Sequence, residues 1–226
     1  MTQNDNRGGA RVLTPWTVYV PQEDTLLLAQ ALDREHLAAG ATLLDVGTGS
    51  GALALAAARR GARVTAVDTT YRAVLTARLN ARLARLPLEV LHGDLFAPVT
   101  GRRFDLIVSN PPYVPTHRAA PPRHSAAVAW DAGADGRLLL NRICRSAHMS
   151  LRPGGVLLMV HSALCGIPST LAALERSGLR AGVTDRRHVP FGPVLRSRLA
   201  WLRHRGLIDA GDEKEELVII RAERTR

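Results

Sequence analysis

Short uninterrupted apolar runs alternate along this chain with longer stretches in which apolar residues recur every three or four positions. The runs "ATLLDVG", "RVTAVD", "LEVLHGD", "FDLIVSN" and "GGVLLMVHS" read as strands. Between them, "ALALAAARRGA", stopped at Gly61, "TYRAVLTARLNARLARL" and "GADGRLLLNRICRSAHMSL" read as helices. A further helix comes first: "EDTLLLAQALDREH" gathers Leu26, Leu27, Leu28, Ala31 and Leu32, with Glu23 and Asp24 at its positive dipole end. After "IPSTLAALERSG", another helix, the last apolar run "ELVIIRA" forms an antiparallel edge pair with a strand near "LRAGVTDRR". Strands and helices in alternation with short connections predict an α/β fold. Its expected form is a doubly wound, mostly parallel, seven-stranded Rossmann-like sheet with an antiparallel last strand and helices on both faces.

One segment breaks the rhythm. The stretch "VPFGPVLRSRLAWLRHRGLIDAGDEKE" is too long for a hairpin turn. Leu195, Leu199 and Leu202 fall on one side of a helix, Arg196, Arg198, Arg203 and Arg205 occupy its other positions, and Gly206 ends it. A packed helix with a solvated basic side is favoured over a substrate or nucleic-acid arm. The first 13 or so residues are polar enough for a disordered tail, so the expected organisation is a single domain over 14–226 with a helical insertion at about 190–215.

Composition adds limits. With 226 residues, 46% hydrophobic and 22% charged, the chain is the size of one domain that buries a full core. It shows no membrane span and no apolar signal segment, so a cytoplasmic protein is expected. The net charge of +10 points weakly to nucleic acid: of the 30 basic residues only Lys214 is lysine, and the 29 arginines are spread along the whole chain. Cys144 and Cys165 lack CxxC or histidine company, which argues against a disulfide framework or a metal site and for buried thiols.

The chemistry gathers at strand ends. "DVGTGSGALAL" places Gly47, Gly49 and Gly51 between a strand and a helix, with Asp45 two residues before the first of them. Glycines there permit a tight turn and close approach of a ligand to a helix N-terminus, though such a turn also suits a plain connection or a dinucleotide site. Asp68 ends the second strand, where a carboxylate can accept from both hydroxyls of a ribose, and Asp94 follows the third, where an adenine amino edge can be read. Any one of these acids could be a cap or loop residue. Three after successive strands lie on the rim where open α/β sheets bind ligands. Asn110-Pro111-Pro112-Tyr113 follows the fourth strand on the same rim. The prolines remove N–H donors and fix φ, so that main-chain carbonyls and the Asn110 side chain form acceptors suited to a planar –NH2, with Tyr113 against its flat face.

With these motifs the chain resembles the class I S-adenosylmethionine-dependent methyltransferases, and within them the HemK-type protein glutamine methyltransferases. In that family "DVGTGSG" corresponds to the methionine and ribose loop, which implies cofactor contacts by Asp45, Gly47, Thr48, Gly49 and Gly51. The resemblance further implies ribose binding by Asp68 with Thr69, adenine binding by Asp94 with Leu95, and a substrate-amide clamp of Asn110, Pro111, Pro112 and Tyr113, with Asn110 also beside the cofactor. "YVPQEDTLLL" is similar to the Y-x-P-x-E-D-T segment of the short single-domain branch, in which the threonine, here Thr25, contacts the cofactor. "AWDAGADGRLLLNR" is similar to that branch's Trp-x-x-Gly-x-x-Gly-Arg segment. The chain departs from the branch at Gln22 and in the 190–215 insertion.

The resemblance implies methylation of a protein glutamine, with a release factor as the family's target and a small zinc-binding activator subunit on the sheet edge as a partner. Aligning an amide nitrogen with an activated methyl donor can contribute about 7–11 kcal/mol, and no dedicated general base is evident. The main competing reading is a nucleic-acid methyltransferase acting on an exocyclic amine of adenine or guanine, which needs an exposed base and usually a recognition module. A small-molecule methyltransferase rarely needs an amide clamp, and the intact set of Gly47, Asp68, Asp94 and Asn110 argues against a non-catalytic cofactor-binding scaffold.

Overall fold

A computed structural model describes residues 12–15, 18–117 and 129–225. Helix α1 (Glu23–Arg34) leads into β1 (Thr42–Val46), α2 (Ala52–Arg59), β2 (Arg63–Asp68), α3 (Tyr71–Ala84) and β3 (Glu89–His92). Then follow β4 (Phe104–Ser109), α4 (Leu138–Ser150), β5 (Leu151–Ser162), α5 (Ile167–Arg176), β6 (Leu179–Pro190), α6 (Pro193–His204) and β7 (Lys214–Arg224). The seven strands form one sheet in the order β3-β2-β1-β4-β5-β7-β6. Only β7 runs antiparallel to its neighbours, lying between β5 and β6 and leaving β6 as an edge.

Connectivity sets the layers. From β1 the chain steps outward through β2 to β3, and from β4 it steps the opposite way to β5. Right-handed crossovers then put their helices on opposite faces. α1, α2 and α3 pack as neighbours on one side, α4 and α5 on the other. The order reverses between β1 and β4, which opens a crevice at their carboxyl ends. Register brings those ends level: Val46 lies opposite Val67 on β2 and Ser109 on β4. Gly47, Asp68 and Asn110, the next residues, therefore emerge side by side at one rim.

The central strands are shielded on both faces, as a doubly wound sheet requires. Leu43, Leu44, Ile107 and Leu157 are fully buried, each contributing about 1.5–3 kcal/mol by leaving water. A separate small cluster of Phe191, Leu195, Leu202 and Ile208 seats α6. α6 is thus the amphipathic helix expected from the leucine spacing, and Gly206, at φ 66°, follows its end. Its basic side is not uniformly solvated as expected: Arg198 is largely covered and ion-paired to buried Asp131, because the helix lies across the segment after the Asn-Pro-Pro-Tyr motif.

β5 and β6 each run longer than their apolar runs suggest. β5 begins at Leu151 because its pairing with β4 shifts register between Phe104 and Leu106. Gly155 fits there against the Phe104 carbonyl, where a Cβ would stand 3.0 Å away. Of the tail expected over residues 1–13, Val12 and Leu13 fall within the described residues. The Leu13 main chain exchanges two hydrogen bonds of 2.9 Å with the Asn80 side chain. Residues 1–11 lie outside the described part.

Both cysteines are buried, and burial pushes the Cys144 thiol up to about 11 and that of Cys165 higher still. Among the described residues no helix is long and apolar enough to cross a membrane. No group of three or more histidine, cysteine, aspartate or glutamate side chains there could hold a metal ion.

Candidate active site

A cleft of about 510 Å³ opens over the switch point, within the usual range for small-molecule sites. Its floor is the turn between β1 and α2. Gly47 and Thr48 donate main-chain hydrogen bonds of 2.9 and 3.0 Å to the Val67 carbonyl, and Gly47 and Gly49 take φ values of 76° and 54°. That left-handed backbone suits glycine, and a Cβ built on either residue meets nothing within 4 Å. Gly51 differs: it faces α3, where a Cβ would stand 3.2 Å from that of Ala77.

Asp45 does not line the cleft. It is fully buried beneath the turn, where Oδ2 accepts from the Thr48 hydroxyl at 2.7 Å and the Ala54 amide at 3.2 Å. Oδ1 has no partner. Burial pushes its carboxyl up to about 7 against the pull of Thr48 and Ala54. Asp45 therefore shapes the turn from below, and Gly51 packs it onto α3. Every other site residue expected from the sequence lines the cleft: Thr25, Gly47, Thr48, Gly49, Asp68, Thr69, Asp94, Leu95 and the whole Asn-Pro-Pro-Tyr motif.

Asp68 joins two elements. One carboxylate oxygen accepts from the Gly49 amide at 2.9 Å, the other from the Thr70 amide and hydroxyl at 2.9 and 3.0 Å. Thr70 in turn caps α3 by accepting from the Ala73 amide. A carboxylate has about four acceptor sites, so these three bonds hold the side chain firmly and leave acceptor capacity toward the cleft. On the far side, Leu95 adopts a left-handed φ of 49°, an unfavourable conformation for leucine, directly after Asp94. The Asp94 carboxylate pairs with Arg142 of α4, a cleft residue that the strand-end pattern does not reveal.

Opposite lies a hydrogen-bonded hub centred on Asp24, whose side chain is buried. Its Oδ2 accepts from the Tyr19 hydroxyl at 2.6 Å and the Tyr113 hydroxyl at 3.0 Å. Its Oδ1 accepts from the Thr25 amide at 2.6 Å and the Thr25 hydroxyl at 3.2 Å. Burial, reinforced by the Asp24 charge, raises the pKa of both phenols above the ordinary tyrosine range, so both remain donors. The single proton of the Thr25 hydroxyl is committed to Asp24, so that oxygen can only accept from its other neighbour. The neighbour is the Asn110 amide, whose Nδ2 lies 3.2 Å away. This fixes which way the amide faces: Nδ2 to Thr25, and Oδ1 free as an acceptor.

The segment after the motif is held from the other side. Val114 donates to the Trp130 carbonyl at 2.9 Å, Ala132 to the Val114 carbonyl at 3.1 Å, and Thr116 to the Gly133 carbonyl at 2.9 Å. Gly136, at φ 72°, passes so close to the Tyr113 carbonyl that a Cβ would stand 2.4 Å from it. Arg137 beside it is buried and donates to the Gly166 carbonyl and to Thr170 and Asn141, tying the start of α4 to α5.

Behind the hub, Glu215 at the start of β7 is buried, and one of its carboxylate oxygens has no hydrogen-bond partner among the described residues. Burial pushes its pKa from 4.5 to about 7, a hydrogen bond from Ser162 opposes the shift, and the Asp24 charge adds to it. Folding thus takes up a proton at Glu215 between pH 4.5 and about 7: its stabilising contribution is present below 4.5 and lost as pH rises through about 7. Glu215→Gln, which cannot ionise, is expected to hold its melting temperature across that window better than the parent. Parallel profiles in thermal melts from pH 4.5 to 8 would rule out the buried proton.

Several solved structures share this architecture. The E. cuniculi Mtq2–Trm112 complex, responsible for methylation of the eRF1 translation termination factor, matches with a TM-score of 0.65 at 24% identity, covering 92% of this chain and 99% of that one. The T. thermophilus 16S rRNA methyltransferase RsmC, in complex with AdoMet and guanosine, matches at 0.60 and 24% identity, covering 91% of this chain and 44% of that one. Sheet order, antiparallel β7 and the cleft over the switch point are those of the class I methyltransferase fold. Residues 21–178 match the methyltransferase small domain, and the chain belongs to that family.

Relatives narrow the comparison. A Methanocaldococcus jannaschii protein named as a protein N5-glutamine methyltransferase is 35% identical over 180 residues, 79% of this chain and 89% of that protein. The release factor glutamine methyltransferases of Deinococcus radiodurans and Gloeobacter violaceus are each 39% identical, over 78% and 70% of this chain. The chain spans 65% and 59% of their lengths.

Proposed function

We propose that this methyltransferase transfers a methyl group from S-adenosylmethionine to the side-chain amide nitrogen of a glutamine in a protein, with a translation release factor as the substrate. The observation that carries the reading is the fixed Asn110 amide. Because Thr25 holds Nδ2, Oδ1 is left as an acceptor at the cleft, beside two prolines that offer no N–H. Such a group is matched to a planar –NH2 and cannot serve an acceptor-only substrate.

The cleft suits the cofactor. Gly47 and Gly49 leave room that a Cβ would fill, at the start of α2 where main-chain N–H groups favour a carboxylate. Asp68 presents its remaining acceptor capacity to a ribose diol, and Asp94 with Leu95 lies where an adenine edge would be read. When bound, the cofactor supplies a reactive methyl group on a sulfonium. The protein's part is to hold and orient. Asn110 Oδ1 and the Pro111 carbonyl would accept from the substrate amide, an interaction that strengthens as the nitrogen gains positive charge; the new N–C bond would replace the methyl C–S bond, leaving a neutral thioether, and the surplus N–H proton would pass to solvent. Tyr113, held by Asp24, fixes the wall against the amide plane.

A partner surface also fits. Tyr71, Leu75, Leu79 and Leu83 of α3 are 69, 63, 48 and 62% exposed and follow one another at four-residue intervals on one side of the helix. They adjoin β3, an edge of the sheet. An apolar stripe beside an open strand edge suits the small activator subunit implied by the sequence resemblance, and the Mtq2–Trm112 neighbour is itself a complex of two proteins. A cytoplasmic location agrees with a substrate of the translation machinery.

The reading is tested by methyl transfer from labelled cofactor to a peptide with a Gly-Gly-Gln loop, with and without a small zinc-binding activator, beside the same peptide carrying glutamate. Label on the glutamine peptide alone supports it. In a cell lysate, label that survives protease and is lost to nuclease overturns it in favour of a nucleic-acid substrate.

A further inference from the structure

We propose that Arg198, in the α6 insertion, is a positioning residue for the substrate-side wall of the cleft, so that the insertion governs substrate affinity rather than cofactor affinity. The wall is made of two chain segments from separate parts of the sequence. Val114 to Thr116, following the clamp motif, pairs with Trp130 to Gly133 through three main-chain hydrogen bonds and a Val114–Asp131 bridge. Val114, Trp130 and Asp131 line the cleft next to Tyr113.

Arg198 fastens this pair from a third element. One terminal nitrogen donates to the Pro115 carbonyl at 2.9 Å, and the other to Asp131 Oδ1. One guanidinium thus spans both segments, a fork that lysine cannot reproduce. The pair is shielded: the Arg198 side chain is 15% exposed and that of Asp131 is 0% exposed. Arg196, Arg203 and Arg205 are exposed. Shielding makes the arrangement consequential, because a buried carboxylate stripped of its cation is strongly unfavourable and drives its surroundings to rearrange. Asp131 Oδ2 has no hydrogen-bond partner among the described residues, so Arg198 is the cation on which this carboxylate relies. α6 is seated by its own cluster of Phe191, Leu195, Leu202 and Ile208, with Val114 and Trp201 packed against it. The brace is therefore anchored independently of the glycine turn, Asp68 and Asp94, which form the cofactor side.

For its substrate the inference rests on the glutamine reading; for its geometry it does not, and the test separates the two. Arg198→Ala and Arg198→Lys are made in the full chain. Amide exchange is followed at Val114, Thr116 and Ala132, cofactor Kd by calorimetry, and kinetics with the Gly-Gly-Gln peptide. In Arg198→Ala, exchange at those three amides is expected to accelerate about tenfold while the β1 and β4 amides stay unchanged. Peptide KM is expected to rise about tenfold, with kcat and cofactor Kd within about twofold. Arg198→Lys, retaining charge without the fork, is expected to fall between the two, at a KM about threefold above the parent. Unchanged exchange, an unchanged peptide KM, or a cofactor Kd that rises in step with KM each overturns the proposal. If Arg198→Ala does not fold, Arg198→Lys decides alone by the same measures. Should the parent enzyme methylate no glutamine peptide, the functional reading fails, and the exchange experiment still decides whether Arg198 braces the wall.

Discussion

Replacing Asn110 with alanine is expected to lower kcat for methyl transfer by about 10²- to 10³-fold, the scale at which one preorganised polar contact to a developing charge is lost in other enzymes. Cofactor Kd is expected to stay within about threefold, because the glycine turn, Asp68 and Asp94, which form the cofactor side of the cleft, are left in place. The size follows from losing one of the two acceptors, since the Pro111 carbonyl alone does not fix the plane of the amide. An amide nitrogen is a weak nucleophile, and in the proposed reaction the Asn110 amide both orients it and stabilises its developing positive charge. Asn110→Asp refines the result. It keeps an acceptor but loses the donor to Thr25 and places a second carboxylate near Asp24, so it is expected to remain as impaired as alanine. Single-turnover rates at saturating cofactor, with calorimetric binding in parallel, are the measurement. Full activity in Asn110→Ala would remove the clamp from the mechanism.

Much of this site is legible in the chain itself, for a definite reason. Each strand is a short apolar run, so its end is visible, and in a parallel sheet the ends of successive strands share one rim. Asp68, Asp94 and Asn110 are located in this way, and register then sets Gly47, Asp68 and Asn110 side by side. What the chain does not show are partnerships across long separations. Asp24 looks like an ordinary acid in the first turn of a helix, yet its carboxylate accepts from Tyr113, 89 residues away. The presence of Tyr19 and Asp24 together in "YVPQEDT" is the available signal, five residues apart and both polar ahead of an apolar helix. Arg198 has no such signal. It stands among several other arginines, and only the path of α6 over Pro115 and Asp131 sets it apart from Arg196 and Arg203. Asp45 shows the converse: an acid beside the glycine turn reads as a ligand contact, while its bonds to Thr48 and Ala54 turn it inward.

The Asp24 hub leads to the second large effect. Asp24→Ala leaves two buried phenols and the Thr25 amide without their acceptor, which is expected to cost about 2–4 kcal/mol of stability. In a domain of this size that is a melting temperature lower by about 5–12 °C. Activity should fall further than stability explains. Without Asp24 the Thr25 hydroxyl proton is free to point at Asn110, so the amide no longer has a single preferred orientation, and a share of the molecules presents an –NH2 where the substrate needs an acceptor. Thr25→Val separates the two consequences, since valine has nearly the shape of threonine and leaves the phenols bonded to Asp24. It is expected to keep the parent melting temperature within about 2 °C while lowering kcat about tenfold. Thr25→Ser, which restores a hydroxyl at the same place, is expected to recover most of that loss. If Thr25→Val turns over at the parent rate, Asp24 and the two tyrosines are only structural, and the orientation of Asn110 is set by something other than this chain of hydrogen bonds.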